Sequence, residues 1–485
     1  MFDTIRMNSP NTKRPPQIGQ QAPKSRAKDA TNQALLHAQL HHLLSSDLDF
    51  HDQVSDNASH NVHSFPAKFP PQLPAKFIEA LTKTGDTVLD PMMGSGTTVL
   101  EACILGRAAI GFDIDPLAVL LAKVKTTVLD KQAVLARMVT IVEGARKLLR
   151  EDRTKLEDEF QSRWSQEARH FLTYWFAKET LLELLSLIKQ INDVKDVDVK
   201  TFFEVAFSST VITKSGGVSL ALDLAHTRPH KAKVAYDPDG KVIFGGELIG
   251  TSSSRLPHVT KRLRSAIAEF EKRCSRNLAS LPFVLSGHVA PIINFADTQK
   301  LPIEDNSVDL IVTSPPYASN AIDYMRAHKF SLIWLGHNYH DLSEKRGSYI
   351  GGESTREFCF EKLPPFTAEI VRRVASVDER KGAVLHRYFS EMTRALREMY
   401  RVIRPGRVSV LVVGNSTMRG IDTQTSKCLS EIGTSIGFVD PIIGERKLDR
   451  NRRMLPAGMR IDQSSQIQQR MHKEYVIAFP KPTYW

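Results

Sequence analysis

Cysteine is scarce in this chain: Cys103, Cys274, Cys359 and Cys428 are the only four in 485 residues, far apart and without a Cys-x-x-Cys pair. That spacing argues against a zinc site and against a disulfide framework, so the four read as reduced, mostly packed residues. Long apolar runs are also missing. No stretch of about 20 apolar residues occurs, so no membrane span is expected, and Met1 to Lys28 lacks the apolar centre of a signal peptide. Repeats of solenoid length are absent. With 41% hydrophobic residues, the chain is long enough for two or three domains of roughly 100 to 200 residues, which agrees with a cytoplasmic enzyme.

Acid is in deficit. Lys and Arg number 65 against 54 Asp and Glu, leaving a formal charge of +11 and a pI near 9.3. A polyanionic partner would select such a balance, although solubility alone would also account for it. Two clusters sharpen the point. Residues 1–28 hold six Lys or Arg against one acid, among prolines and polar residues, and read as a disordered basic arm. Arg446, Lys447, Arg450, Arg452, Arg453 and Arg460 crowd a loop containing Pro and Gly, where they would hold phosphates or stack a base. A short helix is expected from Asn32 to Leu44. Its histidines His37, His41 and His42 lack the Cys or carboxylate spacing of a metal site, and no metal is expected.

What the chain does contain is punctuated strand ends. Val308 to Val312 is an apolar strand-like run that breaks at Thr313-Ser314-Pro315-Pro316-Tyr317. Two prolines fix φ and donate no hydrogen bonds, so the chain leaves the sheet in one direction with its carbonyls free to accept. Ser314 Oγ and the Pro315 carbonyl would accept two N–H groups of an exocyclic amine while Tyr317 stacks on the ring, as for a nucleobase taken out of its helix. A Pro-Pro turn whose tyrosine packs on the core is the plainer alternative.

A second strand end lies upstream. Thr87 to Asp90 reads as a buried strand, Pro91-Met92-Met93-Gly94-Ser95-Gly96-Thr97-Thr98 as a glycine turn, and Val99 to Leu105 as a helix that Thr97 or Thr98 would cap. The next strand, Ala108 to Phe112, ends at Asp113, placed to take both hydroxyls of a ribose. The turn lacks the third glycine of the dinucleotide fingerprint and the lysine of a phosphate-binding P-loop. S-adenosylmethionine has no phosphate and carries cationic groups, which Asp90 would favour. A glycine turn without any ligand is the alternative.

With both motifs in view, the chain resembles the amino-methylating DNA methyltransferases, the N4-cytosine and N6-adenine group. The resemblance extends to His63-Ser64-Phe65-Pro66-Ala67-Lys68-Phe69-Pro70 and to Asp297, and it covers roughly residues 60–125 and 290–480. It implies an α/β fold, a doubly wound Rossmann-like S-adenosylmethionine-dependent methyltransferase sheet with a large, mostly helical insert. It also implies S-adenosylmethionine held by Asp90, Gly94, Ser95, Gly96, Thr97, Asp113 and Asp297, and a catalytic group of Ser314, Pro315, Pro316 and Tyr317. Double-stranded DNA is the implied partner, with room for a cognate restriction endonuclease. A serine before Pro-Pro-Tyr goes mainly with cytosine N4 in the family, and an aspartate or asparagine mainly with adenine N6, so cytosine is favoured. Methylation of adenine, RNA or a protein glutamine, and a catalytically silent nucleic-acid-binding module, are the competing expectations. Met92 stands where a phenylalanine is common, and the glycine turn precedes the Pro-Pro-Tyr motif, an order that leaves the place of target recognition open.

Four segments follow from this: a basic arm at 1–50, a cofactor half at 51–125, a mostly helical insert at 126–290, and a catalytic half at 291–485. Apolar periodicity predicts insert helices over Val134–Leu149, Ala168–Ile191 and Val259–Phe270. The aromatic run Trp164, His170, Phe171, Tyr174, Trp175 and Phe176 reads chiefly as core. The piece from Lys214 to Lys233 is the first candidate for reading DNA, and an ordinary basic loop its alternative. Gly336 to about Lys381 reads as a flap over the site. Tyr388–Arg401 is predicted as an amphipathic helix, with strands at Val408–Val413 and Tyr475–Phe479.

Overall fold

The computed structural model describes residues 23–51, 53, 58–65, 68–213, 215–224, 229–250, 256–281, 289–318, 324–448 and 473–483. Seven strands form the central sheet: β1 (Thr87–Asp90), β2 (Ala108–Asp113), β3 (Ile292–Phe295), β4 (Val308–Thr313), β5 (Ile403–Val413), β6 (Ile442–Lys447) and β7 (Lys473–Pro480). Their spatial order is β6-β7-β5-β4-β1-β2-β3. The pairs β5·β4, β4·β1, β1·β2 and β2·β3 are parallel, whereas β7 runs antiparallel to both β5 and β6. The order reverses direction at β1 and β4, and those two strands carry the two motifs. Ligand crevices of open α/β sheets form at such switch points.

Side chains alternate between the two faces of each strand, so a sheet covered on both sides reads as a continuous apolar run. On one face Leu89, Ile311, Leu411, Val413, Ile477 and Phe479 pack under the helices Pro365–Val377, Glu379–Val402 and Thr425–Ile436. On the other, Val88, Leu310, Val312, Val410, Val412 and Val476 meet Leu40 and Leu44 of helix Pro23–Ser45 and Leu73 and Phe77 of helix Gln72–Leu81. This is the doubly wound α/β sheet that the sequence predicts. Removing a large side chain such as Phe77, which has no exposed surface, would cost about 3 to 5 kcal/mol.

The insert is helical with one small addition. Six helices, Lys131–Glu151, Arg153–Arg163, Gln166–Trp175, Lys178–Asn192, Val197–Val211 and Ala266–Ser280, accompany a three-stranded sheet of Val234–Tyr236, Val242–Phe244 and Thr260–Arg262. Its core is continuous with the rest of the molecule: Phe202, Phe203, Phe207, Leu184 and Ile188 share one cluster with Leu117 and Leu121 of helix Pro116–Thr126 and with Phe330 and Trp334. Trp164, Phe171, Trp175 and Phe176 pack in this cluster around Phe330 and Trp334, as a core aromatic stripe should.

Several expected boundaries move for local reasons. The single helix predicted over Ala168–Ile191 is two, because the chain is extended at Phe176 and Ala177. The helix predicted from Val259 starts at Ala266: Thr260–Arg262 pairs with Val234–Tyr236, and Ser265 caps the helix by accepting from the Ala268 N–H. Helix Pro23–Ser45 begins nine residues before the predicted Asn32, inside the segment read as a disordered arm, while residues 1–22 lie outside those described. Strand β5 starts at Ile403 and runs through Pro405 and Gly406, five residues before the predicted Val408. Strands β3 and β6 go unpredicted, both at sheet edges where one ladder side faces away from the sheet.

Candidate active site

The β1 end is built as a cradle. Gly94 and Gly96 have φ of 48° and 75°, in the left-handed region where a side chain is strained. A Cβ at Gly96 would lie 2.8 Å from Ala122 Cβ. Gly96 is itself the helix N-cap, with its carbonyl accepting from Leu100 N–H, and no side chain caps the helix. Capping by Thr97 or Thr98 is therefore incorrect: both sit inside the helix, past a backbone turn open chiefly to glycine. Below the turn, Lys125 is fully buried and donates from Nζ to the Ser95 carbonyl at 2.6 Å. Burial pushes its ammonium well below the usual lysine range.

Three carboxylates line the cavity beside this turn. Asp90 is 2% exposed and accepts from the Thr313 hydroxyl at 2.6 Å and from Met92 N–H at 3.2 Å. Asp113, at the end of β2, accepts from Gly94 N–H at 2.8 Å and Asp115 N–H at 2.9 Å. Asp297, after β3, is exposed and accepts from Gln299 N–H at 2.9 Å. Burial pushes Asp90 up to about 6. Burial, reinforced by the neighbouring Asp115 charge, pushes Asp113 up to about 7. Each Asp113 oxygen takes one of these bonds and keeps a lone pair, whereas both Asp90 bonds fall on Oδ1 and leave Oδ2.

The β4 end meets the β1 end through the Thr313 to Asp90 hydrogen bond, which joins residues 223 apart in the chain. Ser314 Oγ donates its proton to the Val412 carbonyl of β5 at 3.1 Å. A hydroxyl has one proton and two lone pairs, so this bond leaves Ser314 Oγ as an acceptor. Asp90, Gly94, Ser95, Thr97, Asp113, Asp297, Ser314 and Pro316 line one cavity of about 840 Å³, counted to its open mouth. Gly96, Pro315 and Tyr317 are outside its lining. Gly96 faces Ala122, and the Tyr317 hydroxyl turns to Glu474 at 2.7 Å.

The comparisons with known proteins agree with this geometry. The N6/N4 methyltransferase family model, described as DNA methylase, matches residues 11–124. Type II methyltransferase M.MvaI of Kocuria varians is 26% identical over 413 residues, 79% of this chain and 83% of its own. M.BsoBI of Geobacillus stearothermophilus is 25% identical over 429 residues, 80% of each chain. M.BglI of Bacillus subtilis is 52% identical over 50 residues, 10% of this chain and 14% of its own. Over most of its length the chain is thus similar to Type II methyltransferases, and its first quarter matches the DNA methylase model.

Other residues line this cavity: Phe65, Lys68 and Phe69 belong to the His63–Pro70 stretch of the resemblance, whereas Asp115, Tyr324 and Tyr349 carry no motif. Phe65 stacks on Tyr324 with ring centroids 5.5 Å apart. Lys68 turns its Nζ to the His60 and His63 carbonyls, each at 2.9 Å. Asp115 caps helix Pro116–Thr126 and contacts His328 Nδ1 at 2.6 Å. Burial pushes Asp115 up, and His328 more than offsets this, so its carboxyl sits below the usual range. An Asp-Pro pair at the start of an apolar helix was the available signal for this cap.

Elsewhere the protein departs from expectation. Arg446 is 6% exposed on β6 and paired with Glu474, so it belongs to the sheet and not to a phosphate-binding loop; Arg450, Arg452, Arg453 and Arg460 lie outside the described residues. The stretch after Lys214 is not uniformly exposed: Val218, Ser219, Leu220 and Ala221 are buried, and a Cβ at Gly217 would clash with the Thr210 and Val211 carbonyls. His226 and Arg228 lie outside the described residues, and Lys231 covers the half-exposed Tyr174 ring at 4.2 Å. The predicted flap contributes Ser348, Tyr349 and Ile350 to the cavity. It is tied down, with Gly351 N–H bonded to Glu391 and Arg387 bonded to the Gly347 carbonyl at 2.6 Å. Among the described residues no helix is long and apolar enough to cross a membrane.

Proposed function

We propose that the protein is a site-specific DNA methyltransferase that transfers a methyl group from S-adenosylmethionine to the exocyclic N4 amine of a cytosine flipped out of double-stranded DNA. The observation that carries this reading is the Ser314 hydroxyl. Its proton is committed to Val412, so its oxygen accepts, and it borders the same cavity as three carboxylates. An amine N–H is what an acceptor at that place would orient.

The donor set fits S-adenosylmethionine. Asp90, Asp113 and Asp297 supply negative charge, Lys68 spends hydrogen bonds on backbone carbonyls, and the glycine cradle is left without a P-loop lysine. Such a site would repel pyrophosphate and accept a cationic, phosphate-free nucleoside. Asp113 would take the ribose hydroxyls, Gly94, Ser95, Gly96 and Thr97 would border the amino acid part near Asp90, and Asp297 would face the adenine amine. Bound there, the cofactor supplies a methyl group already activated by its sulfonium.

The chain's own residues then supply position. Ser314 Oγ and the Pro315 carbonyl accept the two amine hydrogens, favouring a pyramidal nitrogen with its lone pair free to react. Pro316 fixes the turn, and Tyr317 stacks on the base. Held this way, the amine needs no covalent intermediate and no strong base, and positioning is the main source of rate. The insert at 126–290 is the proposed target-recognition region, the protein is assigned to the cytoplasm, and a cognate restriction endonuclease is the proposed genetic partner.

Nucleoside mass spectrometry after incubation of the purified protein and S-adenosylmethionine with unmethylated DNA, and separately with RNA, tests the reading. N4-methylcytosine from DNA is the expected product. N6-methyladenine would overturn the base assignment, and label in RNA alone would overturn the substrate.

A pH dependence follows from the raised acids. Asp113 titrates near 7 and Asp90 near 6, and both must be ionised to accept hydroxyls and attract a cation. Cofactor binding should tighten as pH rises from about 5.5 to 8 and release protons at the acid end of that range. Calorimetry in two buffers of different ionisation enthalpy reads the released protons; proton uptake would contradict it.

A further inference from the structure

Behind the Thr313–Tyr317 turn, Tyr317 is joined to two side chains that the proposed reaction does not use. Tyr317 donates its hydroxyl to Glu474 Oε1 at 2.7 Å, and Arg446 Nη1 donates to Glu474 Oε2 at 2.8 Å. Arg446 and Glu474 face each other directly across β6 and β7. Both side chains are nearly closed to solvent, at 6% and 12% exposed. Because β7 is reversed, its first residues stand at the carboxyl edge of β4 and β5, beside the turn.

Taking a carboxylate and a guanidinium out of water costs several kcal/mol each unless they are paired and hydrogen-bonded. Pairing to each other would satisfy that need without Tyr317. The third bond fixes something further. A tyrosine ring rotates about two torsions, and a ring that is to stack on a base must keep one plane. Anchoring the hydroxyl to a charged acceptor removes that freedom, and bonds to ionised groups are about twice as strong as neutral ones. Burial and the Glu474 charge both keep the phenol protonated, so it remains a donor.

We propose that Glu474 and Arg446 are positioning residues of the base pocket: Glu474 holds the Tyr317 ring in its stacking plane, and Arg446 holds Glu474. The proposal rests on the reading of Thr313–Tyr317 as the amine pocket. Neither residue touches substrate, and both act through Tyr317.

Single-turnover and steady-state methylation of unmethylated genomic DNA by the full chain tests it, with thermal unfolding and cofactor calorimetry on each variant. Tyr317→Phe and Glu474→Ala should each lower kcat about tenfold, the size expected for one lost hydrogen bond, with the KM for S-adenosylmethionine unchanged. The double variant should be no slower than the slower single one. Glu474→Gln, which keeps an oxygen for the hydroxyl, should recover most of the rate. Multiplicative losses in the double variant, or full kcat in Tyr317→Phe, would overturn the proposal. If Glu474→Ala does not fold, Tyr317→Phe and Glu474→Gln still decide it. Ser314→Ala separates the two levels. Its loss of turnover alongside an active Tyr317→Phe overturns the brace alone, and retained turnover in Ser314→Ala overturns the pocket beneath it.

Discussion

Ser314→Ala should lower the rate of methyl transfer about a hundredfold while leaving the affinity for S-adenosylmethionine within a factor of two. The size is that of removing one polar group aimed at charge developing in a transition state. In the folded chain Ser314 Oγ is oriented by the Val412 carbonyl, so the acceptor is in place before the base arrives. Alanine removes the acceptor and frees that carbonyl without disturbing the prolines. Cytosine N4 is a weak nucleophile because its lone pair is drawn into the ring, and without Ser314 only the Pro315 carbonyl is left to favour withdrawal from conjugation. Rapid-quench transfer of labelled methyl groups measures the effect. An unchanged single-turnover rate would place the amine elsewhere.

Asp113→Ala should weaken cofactor binding by about a hundredfold or more, the sum of two hydrogen bonds to a charged acceptor. The carboxylate stands at the end of β2 and bonds Gly94 N–H and Asp115 N–H, so it also shapes the glycine turn. Asp113→Asn separates the two roles, since an amide oxygen retains one backbone bond but loses the charge. Calorimetry should find both variants weak and the asparagine less so. Wild-type affinity in Asp113→Ala would refute the ribose assignment.

The parts of this molecule that were legible in its sequence are those where the backbone does something only a few residue types permit. Gly94 and Gly96 sit at positive φ, and the prolines after Ser314 end a strand, so both motifs announce themselves. Strands β1, β2, β4, β5 and β7 are buried on two faces and read as apolar runs. Strand β6 alternates buried and exposed residues as Ile442–Lys447, but its charged half resembles a loop, which is how Arg446 came to look like a surface cation. The cavity residues Asp115, Tyr324 and Tyr349 were illegible for a different reason. They come from separate segments, and each makes sense only through packing partners distant in sequence. The alternation of β3 is too short to register, with Asn294 and Phe295 both exposed.

The shared core of the insert bears on how such a protein can change what it reads. Phe202, Phe203 and Phe207 share one core with Leu117, Leu121, Phe330 and Trp334, so the insert helices are one wall of a hydrophobic interior whose other wall is helix Pro116–Thr126 and the segment carrying Phe330 and Trp334. Recombination that exchanged only the insert between relatives would join mismatched walls. A productive exchange of specificity would carry the segments around 116–126 and 324–335 with it, or proceed by point changes at the surface. On the proposed reading of the insert, a change of specificity would then be inherited together with the scaffold it packs on.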